Sequence, residues 1–224
     1  MGDHLRVGML KVTFSNGQHR LRKVLCLGAH PDDIEIGCGG TILRLIKEHS
    51  DLEFYWLVFS STEVRKREAR ESAKLLLRSV RSRIAVKSYR DGFFPFHGER
   101  IKESFEVLKR EYQPDLIFTH YRNDAHQDHR LIADLTWNTF RGHLILEYEI
   151  PKYDGDLGSP NLFVGLSESL CKCKVDHIVK SFPTQASKHW FSKDTFQALL
   201  RLRGIEANVP ERYAEGFYCR KLAL

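Results

Sequence analysis

The sequence predicts an α/β protein, a single domain built on a Rossmann-like, mostly parallel β-sheet flanked by helices. Three observations carry this. Short apolar runs alternate with helix-periodic segments from about residue 20 to about residue 150, the rhythm of right-handed βαβ units. The 224 residues can bury one sizeable core, and no internal repeat, low-complexity linker or composition shift divides them. Hydrophobic residues make up 42% and charged residues 29%, which excludes wholesale disorder.

The elements follow in order. Residues 23–27 are a short apolar run with Gly28 directly after it, which reads as a buried strand. From Gly39 the spacing of Ile42, Leu45 and Ile46 turns helical. Residues 52–59 form a second buried strand, rich in aromatics. Residues 63–80 give the clearest helix, with Ala69, Ala73, Leu76, Leu77 and Val80 on one face and Arg67, Arg70, Lys74, Arg78 and Arg81 on the other. A third strand is expected at 84–86, a helix at 100–112 that stops before Pro114, and a fourth strand at 115–120. A helix at 129–140 and a fifth strand at 144–150 complete the regular part. Residues 151–160 carry the Gly, Pro and Asp of a loop. Helices around 167–180 and 187–202 and a last strand at 216–221 follow. The expected domain spans 1–224, with the α/β core at about 20–150 and a variable, substrate-binding part at 151–224.

Composition narrows the function classes. No apolar run approaches the ~18–20 residues of a membrane span, and residues 1–10 lack the features of a signal peptide. Five cysteines form a sparse, odd set that argues for a reducing compartment, so a cytoplasmic location is expected. The net charge of +6 is local: residues 65–90 hold ten Lys or Arg against two Glu, and the remainder is close to neutral. A nucleic-acid partner is therefore not expected. The stripe at 67–81 either docks an anionic substrate tail, a membrane surface or a partner subunit, or is a solvated face. A homo-oligomer is left open.

In an open α/β sheet, ligands bind beyond the carboxyl ends of the strands. Two polar clusters fall there. One runs from His30 through Asp32 and Asp33 to Glu35 after the first strand; the other runs from Asn123 to His129 after the fourth. His30 and Asp33 lie three apart, as do His126 and His129, and His and Asp are usual ligands of a catalytic zinc with three protein donors. The two loops offer more donors than a metal needs, which suits catalysis, and Asp32 is the natural general base. An Asp-Asp pair after a strand is also an ordinary helix cap, and a His at a strand end an ordinary polar residue.

Ala29-His30-Pro31-Asp32-Asp33, with Glu35 and then Gly37-Cys38-Gly39-Gly40-Thr41, resembles the signature of the PIG-L/LmbE-type zinc-dependent N-deacetylases. His126-Gln127-Asp128-His129 is similar to that family's second motif, in the same order and separation. The resemblance implies that His30, Asp33 and His129 hold Zn2+ (Fe2+ or Co2+ also suiting such a site), and that Asp32 is the general base. It implies that His126 stabilises the oxyanion or protonates the leaving amine, with Asp128 orienting it. Arg65 and Glu68 stand where the family often has Arg and Glu, and Arg65 is a candidate substrate contact. Ile34 stands where many members have an acidic residue, and Gln127 where Pro is usual; neither removes a ligand or a base. The implied reaction is attack of a zinc-activated water on the N-acetyl group of an N-acetylglucosamine-type glycoconjugate, giving acetate and a free amine. Two rivals are a polyanion-binding protein with a vestigial metal loop, and an amidase acting on a larger acyl group.

Other features have plainer readings. Gly37-x-Gly39-Gly40 at a helix start reads as close packing rather than a phosphate cradle, since no full dinucleotide fingerprint is present. Cys171 and Cys173 lack the spacing of a zinc ribbon, and Cys26 and Cys38 read as small apolar fillers. The aromatic run 93–97 is a candidate rim for a sugar or ordinary loop packing, and Tyr153, Asp154 and Asp156 either reach the crevice or lie on the surface.

Overall fold

The structure, a computed structural model, describes residues 20–223. The reading of residues 1–10 and the outer ends of the expected domain lie outside the described residues. A seven-stranded sheet has the order β3-β2-β1-β4-β5-β7-β6. Its strands are β1 (Lys23–Gly28), β2 (Glu53–Ser60), β3 (Arg81–Tyr89), β4 (Leu116–His120), β5 (Leu144–Tyr148), β6 (Leu162–Leu166) and β7 (Tyr213–Cys219). The first five pair in parallel, while β7 is antiparallel to both β5 and β6. The helices are α1 (Asp33–Glu48), α2 (Glu63–Leu76), α3 (Gly98–Glu111), α4 (Gln127–Thr139), α5 (Glu168–Ser181) and α6 (Lys193–Glu206). β1, β2 and β4 are buried on both faces, so they read as continuous apolar runs. One face of the sheet packs Ile34, Ile42, Leu76, Ile178 and Leu200 from α1, α2, α5 and α6. The other packs Ile101, Phe105 and Ile132 from α3 and α4.

β1 and β4 are neighbours, with Val24 opposite Leu116 and Cys26 opposite Phe118. The chain winds outward from them in both directions, which opens a crevice beyond their carboxyl ends. The two polar loops expected at these strand ends therefore lie side by side.

Several boundaries differ from the sequence expectation. α1 begins at Asp33 rather than Gly39, and its glycines permit close approach: a Cβ on Gly37 would sit 2.1 Å from the Tyr148 ring, and one on Gly40 2.4 Å from Leu166. The packing reading of these glycines thus has a structural cause. α2 ends at Leu76 rather than at 80. β3 runs over Arg81–Tyr89 as an edge strand, longer than the expected 84–86. α4 starts at Gln127, so His129 lies in its first turn. α6 starts at Lys193 because the Ser192 side chain accepts the Thr195 N–H, and residues 187–192 are turns instead. β6 had no counterpart in the sequence reading, and β7 is centred earlier than the expected 216–221.

Candidate functional site

His30 lies in the turn between β1 and α1, Asp32 is the residue just before α1, its side chain making no capping bond, and Asp33 opens the helix. His126 caps α4, its Nδ1 accepting the Asp128 N–H at 3.2 Å, and His129 lies in the first turn. Both clusters thus project from helix starts at adjacent strand ends. His30 Nδ1 lies 3.1 Å from His129 Nε2 and 3.5 Å from Asp33 Oδ2, and His129 Nε2 lies 3.7 Å from the same oxygen. Ligands about 2.0–2.2 Å from one tetrahedral ion are separated by roughly 3.3–3.6 Å. All three side chains are buried.

The chemistry of the donors fits a cation. His129 Nδ1 meets Asp124 Oδ2 at 2.9 Å, so Nδ1 carries the proton and Nε2 presents a lone pair. His30 Nε2 faces the carboxylates of Asp91 at 2.9 Å and Asp128 at 3.4 Å, so in the neutral ring that a metal requires Nδ1 would carry the lone pair. Two imidazole nitrogens and a carboxylate oxygen then converge on one point, where a cation would satisfy all three. Burial and the facing His120 ring push His129 down to about 3, the neutral form a metal ligand needs. Burial opposes the charge on Asp33, but His129, His120 and His30 outweigh it and hold the carboxyl well below its ordinary range. The same carboxylate, with Asp128 and Asp91, outweighs burial at His30 and raises that imidazole. The family resemblance implies these three as metal ligands; overlapping groups that could hold a metal are His30 with His126 and His129, His30 with Asp91, His126 and Asp128, and Asp33 with His120 and His129.

Asp32 stands beside this point without joining it. Its Oδ1 accepts from Arg65 Nη2 at 2.6 Å, and burial raises its carboxyl while Arg65 pulls the other way. The structure thus places Arg65 against Asp32. His126 is half-buried, its ring centre 4.9 Å from that of His30 and 4.7 Å from that of His129. Burial and the His30 charge lower its pKa, against the pull of Asp128, Asp33 and Asp91. The Asp128 carboxylate makes no hydrogen bond to His126, although the two lie in one group of side chains whose ligand atoms are within 4.8 Å of one another. Its oxygens accept the Gly92 N–H at 2.7 Å and the Phe94 N–H at 3.1 Å and face His30, because the side chain leaves the helix start toward the 92–94 turn. Glu35 lies behind the site, where burial pushes its carboxyl up to about 8 and Ser72 Oγ donates to it. Glu68 turns away to hold Thr184, accepting its N–H at 3.0 Å and its hydroxyl at 2.6 Å.

A model of the PIG-L family, described as GlcNAc-PI de-N-acetylase, matches residues 25–140. The chain belongs to the PIG-L family. A diacetylchitobiose deacetylase of Thermococcus kodakarensis is 31% identical over 126 residues, 49% of this chain and 46% of that protein. An uncharacterized deacetylase of Escherichia coli, YaiS, is 23% identical over 148 residues, 59% of this chain and 76% of that one. The structure of an N,N'-diacetylchitobiose deacetylase from Pyrococcus horikoshii, complexed with an inhibitor, superposes with a TM-score of 0.70 at 26% identity, covering 89% of this chain and 84% of that one. The PIG-L match contains both clusters and ends before the 151–160 loop.

Sequence reasoning assigned no role to four residues of this PIG-L site. Asp124, buried, fixes the His129 tautomer and accepts the His126 N–H at 2.8 Å. Asp91 meets His30 and its carboxyl is lowered to about 2, chiefly by the bond from that imidazole. His120, at the end of β4, stacks on His129 with ring centres 3.9 Å apart and faces Asp33 at 3.2 Å. Tyr148 donates to the Leu27 carbonyl at 2.6 Å and holds the end of β1 in place. Asp124 was legible as part of the second polar loop. Asp91 gave no signal beyond following the third strand.

Proposed function

We propose that this chain is a metal-dependent hydrolase that removes the N-acetyl group from an N-acetylglucosamine-type glycoconjugate, releasing acetate and a free amine. Membership of a deacetylase family supports the reaction class. The observation that carries the reading is the convergence of His30 Nδ1, His129 Nε2 and Asp33 Oδ2 beside an Asp32 that is not part of the triangle. His30, Asp33 and His129 would hold Zn2+; Fe2+ or Co2+ also suit two imidazoles and a carboxylate. A zinc ion held there would supply a water acidified to a pKa of about 7 and a Lewis acid for the amide carbonyl.

The chain's own residues do the rest. Asp32 takes the proton of the attacking water: Arg65 occupies Oδ1, which leaves Oδ2 to accept. Arg65 is in this reading a holder of the base as well as a candidate substrate contact. His126 carries its proton on Nε2, because Nδ1 is taken by the Asp128 N–H. From there it donates to the oxygen that becomes negative, or to the leaving nitrogen. Asp128 faces His30 and holds the 92–94 backbone, and it acts on His126 through its main-chain N–H and through the charge of its carboxylate, without a side-chain hydrogen bond. Among the described residues no helix is long and apolar enough to cross a membrane. A cytoplasmic location and a substrate that reaches the site from solution are part of this proposal.

The test is acetate release from a panel of N-acetylglucosamine conjugates with and without chelator. Release that chelator abolishes and zinc restores is expected. No release from any conjugate overturns the reading and leaves the larger-acyl amidase and the polyanion binder.

A further inference from the structure

The 151–160 loop contains turns but no helix or strand, yet it is tied down at two places. Toward its end, Arg203 on α6 makes two 2.6 Å bonds to the Glu149 carboxylate and donates to the Gly158 carbonyl at 2.9 Å. Near its start, the Lys152 side chain is only 9% exposed. Lysines are seldom buried this far without partners. Lys152 Nζ donates to Asp156 Oδ1 at 2.7 Å and lies 3.0 Å from Asp124 Oδ2. Asp156 in turn accepts the Ala125 N–H at 2.6 Å. The Asp124 oxygen that Lys152 meets is the one that holds His129 Nδ1 at 2.9 Å.

We propose that Lys152 is a positioning residue that latches the 151–160 loop to the Asp124–His129 pair, so that the seating of substrate and the metal-side imidazole are set together. The proposal rests on the deacetylase reading for its kinetic consequence only. Its physical signature has two parts of different sign. Removing the ammonium frees the loop, which carries the exposed Tyr153 and stands beside the turn leading to His126. The same removal returns negative charge to Asp124, which strengthens its bond to His129 Nδ1–H and makes Nε2 a better donor to a metal. A residue with a merely structural role would loosen loop and metal alike.

The experiment compares the full chain with Lys152→Met and Lys152→Arg in three measurements: cleavage after Tyr153 by chymotrypsin under native conditions, Zn2+ affinity by competition with a chelator, and steady-state kinetics on the best acetylated conjugate. For Lys152→Met, native cleavage is expected to rise about tenfold. KM should rise about fivefold or more with kcat nearly held, and Zn2+ affinity should be equal or higher. Lys152→Arg should restore the protected loop and the KM. Wild-type cleavage and KM in Lys152→Met overturn the proposal, as does a Zn2+ affinity that falls in step with KM. If the wild-type chain releases no acetate, the functional reading fails, and cleavage and Zn2+ affinity still decide the latch.

Discussion

Asp32 and Asp33 are adjacent in sequence and live in opposite surroundings. Three imidazoles hold Asp33 ionised, while burial raises Asp32 against the pull of Arg65. In the proposed reading, a ligand that must stay charged and a base that must take up a proton are thus separated by environment alone. Asp32→Asn keeps the hydrogen-bonding shape and removes the base. Its kcat should fall by about 10²–10⁴-fold, with one metal per chain retained by elemental analysis. Wild-type turnover in that variant would remove Asp32 from the mechanism. His129→Ala should instead lose the metal. Asp124→Asn tests the layer behind it: a carboxylate that fixes the His129 tautomer is worth roughly 10–100-fold in metal affinity, read by chelator competition. Unchanged affinity would mean that the 2.9 Å Asp124–His129 bond does not matter to the metal.

The helices that carry these residues are placed by contacts a local pattern does not announce. α6 docks through Arg203, whose guanidinium is buried against Glu149, so Arg203→Met leaves a buried carboxylate without its partner. A loss of about 3–5 kcal/mol in urea unfolding is expected, and less when Glu149→Gln accompanies it. α1 leans on Tyr148 through Gly37, where an added Cβ would fall 2.1 Å from the ring. Gly37→Ala should cost about 1–3 kcal/mol by the same measurement. That contact also explains what the sequence left illegible. The alternation of apolar runs and helical spacing revealed the parallel core, because strands buried on both faces must be continuously apolar. The start of α1 was hidden, since Gly37, Gly39 and Gly40 weaken helix propensity and only tertiary packing makes them useful. β6 was hidden too: it has five residues, three of them partly exposed, and forms by pairing with the later β7. In the site, His30, Asp33, His126 and His129 were legible because they cluster in sequence. Asp91 and Lys152 were not, because each reaches the site from another strand end.

Across the molecule, charge is sorted. The cationic surplus lies on α2 and the β3 edge, where Arg67, Arg70, Lys74, Arg78, Arg81 and Lys87 are exposed. The crevice at the ends of β1 and β4 gathers Asp32, Asp33, Asp91, Asp124 and Asp128 around four imidazoles, those of His30, His120, His126 and His129, with Arg65 and Lys152 as the facing cations. In the proposed reading three of those groups would bind one cation, so the folded chain should be more stable when a cation occupies that point. Whatever binds the folded chain and not the unfolded one adds RT ln(1 + [L]/Kd) to stability, about 2.7 kcal/mol at a hundredfold excess over Kd. For a chain of this length that is a Tm rise of about 5–10 °C. Zn2+ should produce it in the chelator-stripped protein, and chelator should reverse it. His129→Ala should melt at one temperature with or without zinc, because one of the three donors is gone. A wild-type Tm that ignores zinc, or a His129→Ala variant that responds as fully as wild type, would place the metal somewhere other than between His30, Asp33 and His129.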